Sequence, residues 1–118
     1  MTTVFNTTEV VPTFQRKPCY RYIRKTDNLP IEIDWDAEAT DIILKIKLFN
    51  PTGIGTWWIA SYDPESEIAF GVAELFERES GSFSMDELVE FRGVFGLPIE
   101  RDLYYTPRTL AEVLNNAN

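Results

Sequence analysis

The stretch Ile42-Ile43-Leu44-Lys45-Ile46-Lys47-Leu48-Phe49 decides the fold. Leu44, Ile46 and Leu48 fall on one side of an extended chain, and Lys45 and Lys47 on the other, which is the period-two pattern of a half-buried strand. Asn50-Pro51-Thr52-Gly53-Ile54-Gly55 ends it with turn residues. Thr56-Trp57-Trp58-Ile59-Ala60-Ser61-Tyr62, aromatic and β-branched, predicts a second strand. After the turn Asp63-Pro64-Glu65-Ser66-Glu67, Ile68-Ala69-Phe70-Gly71-Val72-Ala73-Glu74-Leu75 predicts a third. Connections this short leave no room for a crossover helix, so the three strands are expected to form an antiparallel meander.

Upstream, Ile31-Glu32-Ile33-Asp34-Trp35-Asp36-Ala37-Glu38 alternates apolar and acidic residues. The pattern predicts a strand with Ile31, Ile33 and Trp35 inward, although the aspartates make Asp36 to Asp41 equally readable as a turn. Tyr20 to Ile23 reads as a short strand. Downstream, Ser84-Met85-Asp86-Glu87-Leu88-Val89-Glu90-Phe91-Arg92-Gly93 carries a helix signature. Ser84 and Glu87 form a capping box, Met85, Leu88 and Phe91 make an apolar stripe, and Gly93 is expected to supply a left-handed stop. Thr109 with Glu112 repeats the capping pattern before Leu110, Val113 and Leu114. Between the helices, Gly96 to Tyr105 reads as a turn leading into an extended segment. The expected fold is a single α+β domain over residues 1–118: a small antiparallel sheet of three to five strands with two short helices packed on one face. Residues 1–28 read as an arm-like basic segment.

Composition narrows the function. The chain is 44% hydrophobic and 25% charged, a globular balance that excludes a disordered or low-complexity segment. No run of apolar residues is long enough to cross a bilayer, and Met1 to Asn6 lacks the charged and apolar regions of a secretory signal. The lone Cys19 has no partner for an internal disulfide, which fits a cytoplasmic location, and it reads most simply as a small apolar filler. There is no histidine. That removes Ser-His-Asp and Cys-His machinery and histidine-containing zinc sites, and no cofactor or metal is expected.

The net charge of −8 is uneven. Arg16, Lys17, Arg21, Arg24 and Lys25 against Glu9 and Asp27 leave residues 1–28 at +3, and the rest of the chain at −11. The acidic body opposes nucleic acid and anionic membranes. Only the head attracts phosphate, where Arg16, Lys17, Tyr20, Arg21, Tyr22, Arg24 and Lys25 interleave cations with rings that can stack bases. The plainer reading is an arm whose cations pair with the body.

Three further groups invite a functional reading. Asp34, Asp36 and Glu38 start like a calcium loop, but Ala39 stands where that loop needs glycine and Lys45 where it needs glutamate. On a strand, Glu32, Asp34, Asp36, Glu38 and Asp41 would form a row of carboxylates about 7 Å apart, resembling the phosphates of a nucleic-acid strand; the alternative is a solvated face that protects a sheet edge. Glu100-Arg101-Asp102 reads as structural ion pairs, with Arg101 directed toward Glu87 or Glu90, or else as carboxylate chemistry on Glu100 and Asp102. Trp57 and Trp58 point to opposite faces, so one is expected in the core and the other is available as an interface anchor.

Lys47-Leu48-Phe49-Asn50-Pro51, Thr56-Trp57-Trp58, Phe70-Gly71 and Gly81-Ser82-Phe83-Ser84-Met85-Asp86-Glu87-Leu88 resemble the domain-of-unknown-function family 2958. The most specific stretch is Arg92-Gly93-Val94-Phe95-Gly96-Leu97-Pro98-Ile99-Glu100-Arg101-Asp102-Leu103-Tyr104, close to the family pattern R-G-x-x-G-L-x-I/V-E-R-D-L-x-F. The resemblance spans about residues 42–114. It implies a small bacterial protein of the kind encoded on plasmids, phages and other mobile elements beside DNA-handling and antirestriction genes, and it carries over no catalytic residue. The sequence thus favours a non-enzymatic, acidic binding protein that acts through an unidentified protein partner. A nucleic-acid mimic that inhibits a defence nuclease, a single-stranded nucleic-acid binder and a carboxylate enzyme are the alternatives.

Overall fold

The computed structural model describes residues 22–116. A short strand β1 (Ile43–Leu44) precedes the meander of β2 (Ile46–Phe49), β3 (Thr56–Asp63) and β4 (Ile68–Glu74), and β5 (Arg78–Ser84) extends it. Helix α1 (Met85–Glu90) follows directly, then the edge strand β6 (Glu100–Arg101), the short β7 (Arg108–Thr109) and helix α2 (Leu110–Leu114). The main sheet has the order β5-β4-β3-β2-β6, with every neighbouring pair antiparallel, and β1 pairs separately with β7. The α+β class and the expected meander are therefore present.

The sheet is covered on both faces, because β3 buries both of its sides. Trp57 and Ile59 belong to a core with Tyr22, Leu29, Leu48, Ile99 and the α1 residues Met85, Leu88 and Val89. Trp58 and Ala60 belong to a second core with Leu44, Val72 and the α2 residues Leu110 and Val113. Successive residues of a strand point to opposite faces, so the two helices lie on opposite faces and not together on one. A bulge between Ile59 and Ser61 shifts the β3–β4 register, after which Tyr62 rejoins the first core. Beside the bulge, a Cβ on Gly71 would stand 1.8 Å from the Trp58 carbonyl oxygen, so only glycine fits.

The expected strand over residues 31–38 does not form. The segment from Ile31 to Asp41 is bends and turns. Asp34 Oδ1 accepts the Asp36 amide at 3.0 Å, the Asp34 carbonyl accepts Ala37 N–H at 2.9 Å, and the Glu38 carbonyl accepts Asp41 N–H at 2.8 Å. Aspartate's short acceptor competes for local backbone donors, and here it outweighs the period-two pattern. Trp35, expected inward, is 61% exposed. Tyr22 and Ile23 form a bend and not a strand, and both side chains enter the first core.

Both helices start at the expected cap, the first through the Ser84 bond alone and the second through a full capping box. Ser84 Oγ accepts Glu87 N–H at 3.2 Å. Thr109 Oγ1 accepts Glu112 N–H at 3.1 Å, and Glu112 Oε1 accepts Thr109 N–H at 2.8 Å, a reciprocal capping box. Gly93 is not a left-handed stop: α1 ends at Glu90, the capping residue Phe91 is extended, and Gly93 has φ −94°. Its requirement is space, since a Cβ there would lie 2.7 Å from Thr52 Oγ1.

Candidate functional site

The β2–β3, β4–β5 and α1–β6 connections lie at one end of the sheet. Register fixes this, because Phe49 pairs with Thr56 and Glu100, Thr56 with Glu74, and Glu74 with Arg78. Asn50 shapes the first connection: its Oδ1 accepts Thr52 N–H at 3.0 Å and its Nδ2 donates to the Ile54 carbonyl at 3.1 Å. Thr52 Oγ1 then accepts Val94 N–H at 3.2 Å, joining the first connection to the third. Gly93 N–H donates to the Leu97 carbonyl at 2.8 Å and Gly96 N–H to the Gly93 carbonyl at 3.0 Å, which closes a tight loop around Val94 and Phe95.

That loop turns Phe95 outward. Its φ of 63° is left-handed, a region unfavourable for a side chain of this size, and it is 91% exposed. On the β4–β5 turn, Phe76 is 88% exposed. Ile54, Leu75, Val94 and Leu97 are exposed at the same end. Ala73, Leu75 and Phe76 line a hollow of about 300 Å³ together with Glu77 and Glu79. Exposed apolar side chains along one end of the sheet, flanked by carboxylates, have the composition of a contact surface.

The sequence-derived candidates fall elsewhere. Trp57 and Trp58 are both buried, so neither is an exposed anchor. The Trp58 ring has the Arg78 guanidinium 4.6 Å from its centroid and Lys47 Nζ at 5.8 Å, and its buried Nε1 has no hydrogen-bond partner among the described residues. Glu32, Asp34, Asp36, Glu38 and Asp41 are exposed but sit on turns, so the even spacing that a strand would impose on them is lost. Tyr22 is buried and its hydroxyl donates to the Ile99 carbonyl, so it is closed to base stacking. Arg24 and Lys25 are exposed. Arg16, Lys17, Cys19, Tyr20 and Arg21 lie outside the described residues.

Glu100, Arg101 and Asp102 do not pair with one another. Arg101, expected to reach Glu87 or Glu90, donates to both Asp27 oxygens at 2.8 Å and to the Tyr22 carbonyl at 3.1 Å. Asp102 lies 3.9 Å from Lys47 Nζ and accepts Tyr104 N–H at 2.9 Å. Glu100 is exposed on the rim of a hollow of about 220 Å³ shared with Phe49, Leu103 and Tyr104. Burial pushes two phenols up: Tyr62 well above the ordinary value, helped by Glu67, Asp63 and Asp86, and Tyr105 to about 12 against the opposing influence of Arg108. Among the described residues, no group of three or more metal-ligating side chains converges, and no helix is long and apolar enough to cross a membrane.

Phe76 and Phe95 escaped the sequence reading. The available signal was a large aromatic inside a tight turn, Leu75-Phe76 between strands and Val94-Phe95 between two glycines, where the chain has little opportunity to bury it.

Fold and surface together define a small α+β protein with a five-stranded sheet, covered on both faces and open to contact at one end. The chain belongs to the family of proteins of unknown function DUF2958, whose model matches residues 22–118. No curated protein and no solved structure matches it.

Proposed function

We propose that the chain is a non-enzymatic binding protein, an accessory of a bacterial mobile element or phage, that docks on a protein partner through the end of the sheet carrying Phe76 and Phe95. The observation that carries this reading is Phe95: a fully presented ring held on an unfavourable backbone, with a second presented ring at the same end. Neither ring contributes much burial to folding, so both are available to contribute to association. Glu77, Glu79 and Glu100 flank them, and the net charge is −8. The partner that complements this end presents apolar side chains bordered by lysine or arginine.

Site-specific photocrosslinking in the native host tests the reading. A photoreactive phenylalanine analogue at position 76 or 95 is expected to trap one and the same protein, and the same analogue at Asp86, exposed beyond the opposite end of β5, is expected to leave it free. Equal trapping from all three positions, or none from any, would refute the proposal. Trapping of a second copy of this chain would replace it with self-association.

A further inference from the structure

At the opposite end of the sheet, the turn segment carrying Ile31, Glu32 and Trp35 leans over β3, β4 and β5. A hollow of about 220 Å³ lies beneath it, lined also by Ser61, Asp63, Ser66, Ile68, Phe70 and Ser82. This is smaller than the roughly 300 Å³ at which drug-sized pockets begin and suits a single side-chain-sized group. Its floor is one row of the sheet, because Ser61 pairs with Phe70 and Phe70 with Ser82.

We propose that this hollow binds an organic cation on an apolar stem, a guanidinium or alkylammonium group. Four features select that chemistry. The ionisable groups among the described lining residues are both acidic, Glu32 and Asp63, and no described lysine or arginine lines it. The Trp35 indole is fixed in place: its Nε1–H donates to Glu32 Oε2 at 2.6 Å and its ring meets Phe70 edge-on at 5.1 Å, leaving an exposed aromatic surface on which a cation can lie. Ile31 and Ile68 give the apolar wall that the stem of such a group needs. Finally, Ser61, only 3% exposed, lies on the floor and offers its hydroxyl oxygen as a further acceptor. A guanidinium brings five N–H donors and no acceptor, the complement of this lining. The site stands apart from the Phe76–Phe95 end and does not depend on it.

The test follows the Trp35 indole N–H signal by ¹H–¹⁵N NMR in the full chain, during titration with N-acetyl-arginine amide, a blocked Gly-Arg-Gly peptide, free arginine and, as an uncharged apolar control, N-acetyl-norleucine amide. A saturable shift with the arginine compounds, and none with norleucine, is expected. Glu32→Gln should weaken it at least tenfold with the rest of the spectrum unchanged. Ser61→Val should weaken it as well, with Glu32→Gln deciding the matter if that strand variant does not fold. Preference for the blocked peptide identifies a protein side chain as the source, and preference for free arginine identifies a small metabolite. A non-saturating shift, an equal response to norleucine, or a response unaltered by Glu32→Gln overturns the proposal.

Discussion

The Arg101 guanidinium and the Asp27 carboxylate meet through two hydrogen bonds of 2.8 Å, joining positions 74 residues apart. The side chains are only 14% and 12% exposed. Asp27 Oδ2 also accepts Arg24 N–H at 2.6 Å, and Arg101 also reaches the Tyr22 carbonyl. One pair thus fastens the segment that delivers Tyr22, Ile23 and Leu29 to the core onto the edge strand β6. Removing one partner strands the other, so Arg101→Ala is expected to cost about 3 kcal/mol in urea denaturation. Arg101→Lys should recover less than half, since an ammonium does not reproduce the two-pronged contact. A loss within about 0.5 kcal/mol for Arg101→Ala, the range of an ordinary surface change, would show that the pair does not hold this segment.

Gly71 and Gly81 face each other across β4 and β5 but differ in what surrounds them. A Cβ at Gly71 meets the Trp58 carbonyl oxygen at 1.8 Å and backbone atoms of Ile59, which have no rotamer by which to yield. A Cβ at Gly81 meets nothing within 4 Å. Gly71→Ala is expected to cost at least about 3 kcal/mol, the severe end of overpacking. Gly81→Ala should be neutral or stabilise by up to about 1 kcal/mol through the restricted unfolded chain. Parallel thermal melts of the two variants check the contrast, and equal melting temperatures would contradict it.

How far the fold was legible follows from the range of each interaction. The strands from Ile46 to Glu74, the Ser84 cap and the Thr109–Glu112 capping box depend on neighbours in sequence, and they are where the pattern puts them. The fate of Trp57 and Trp58 depends on what covers each face. Alternation assigns them opposite sides, but α1 covers one and α2, together with Ile33, Ala39 and Ile42, packs on the other, and that cover is set by distant chain. At Asp34 and Asp36 two local rules conflicted, and side-chain hydrogen bonding to the backbone prevailed over alternation. The same outcome exposed Trp35 and so made the hollow beside Glu32 invisible to a reading that placed the ring in the core. Arg101 was legible as an ion-pairing residue, but its partner Asp27 comes from a segment that no local pattern brings near.

Tyr105 gives the fold a measurable alkaline limit. Its hydroxyl donates to the Leu44 carbonyl at 2.8 Å and accepts Arg108 N–H at 3.2 Å, tying the chain before β7 to β1. Burial raises its pKa from 10.0 to about 12. The folded state therefore holds the phenol proton more tightly than the unfolded chain does. Its contribution is fully present below pH 10 and is lost as pH rises through about 12. Stability should be level across pH 8–9 and fall from pH 10 upward. Tyr105→Phe should flatten that fall and cost about 1–3 kcal/mol at neutral pH, since it leaves the Leu44 carbonyl and the Arg108 amide without this partner. Phenolate absorbance during alkaline titration checks the assignment: the variant must lose a late-titrating tyrosine, and an unchanged late phase would reject it.

Phe95 separates stability from contact. A left-handed backbone costs an ordinary residue about 1–2 kcal/mol, whereas asparagine adopts it more readily because its short side chain bonds locally. The ring is 91% exposed, so removing it forfeits almost no burial. Phe95→Asn is therefore expected to raise stability by about 0.5–1 kcal/mol while weakening capture of the partner. Phe76→Asn, at a residue of similar exposure whose φ is not positive, should weaken capture with stability unchanged within about 0.5 kcal/mol. A stability that rises as association falls is the mark of a residue kept against the interest of the isolated fold. If Phe95→Asn instead destabilises the protein by the 3–5 kcal/mol of a buried aromatic truncation, the ring is packed in solution and the end of the sheet is not the free surface that docking requires.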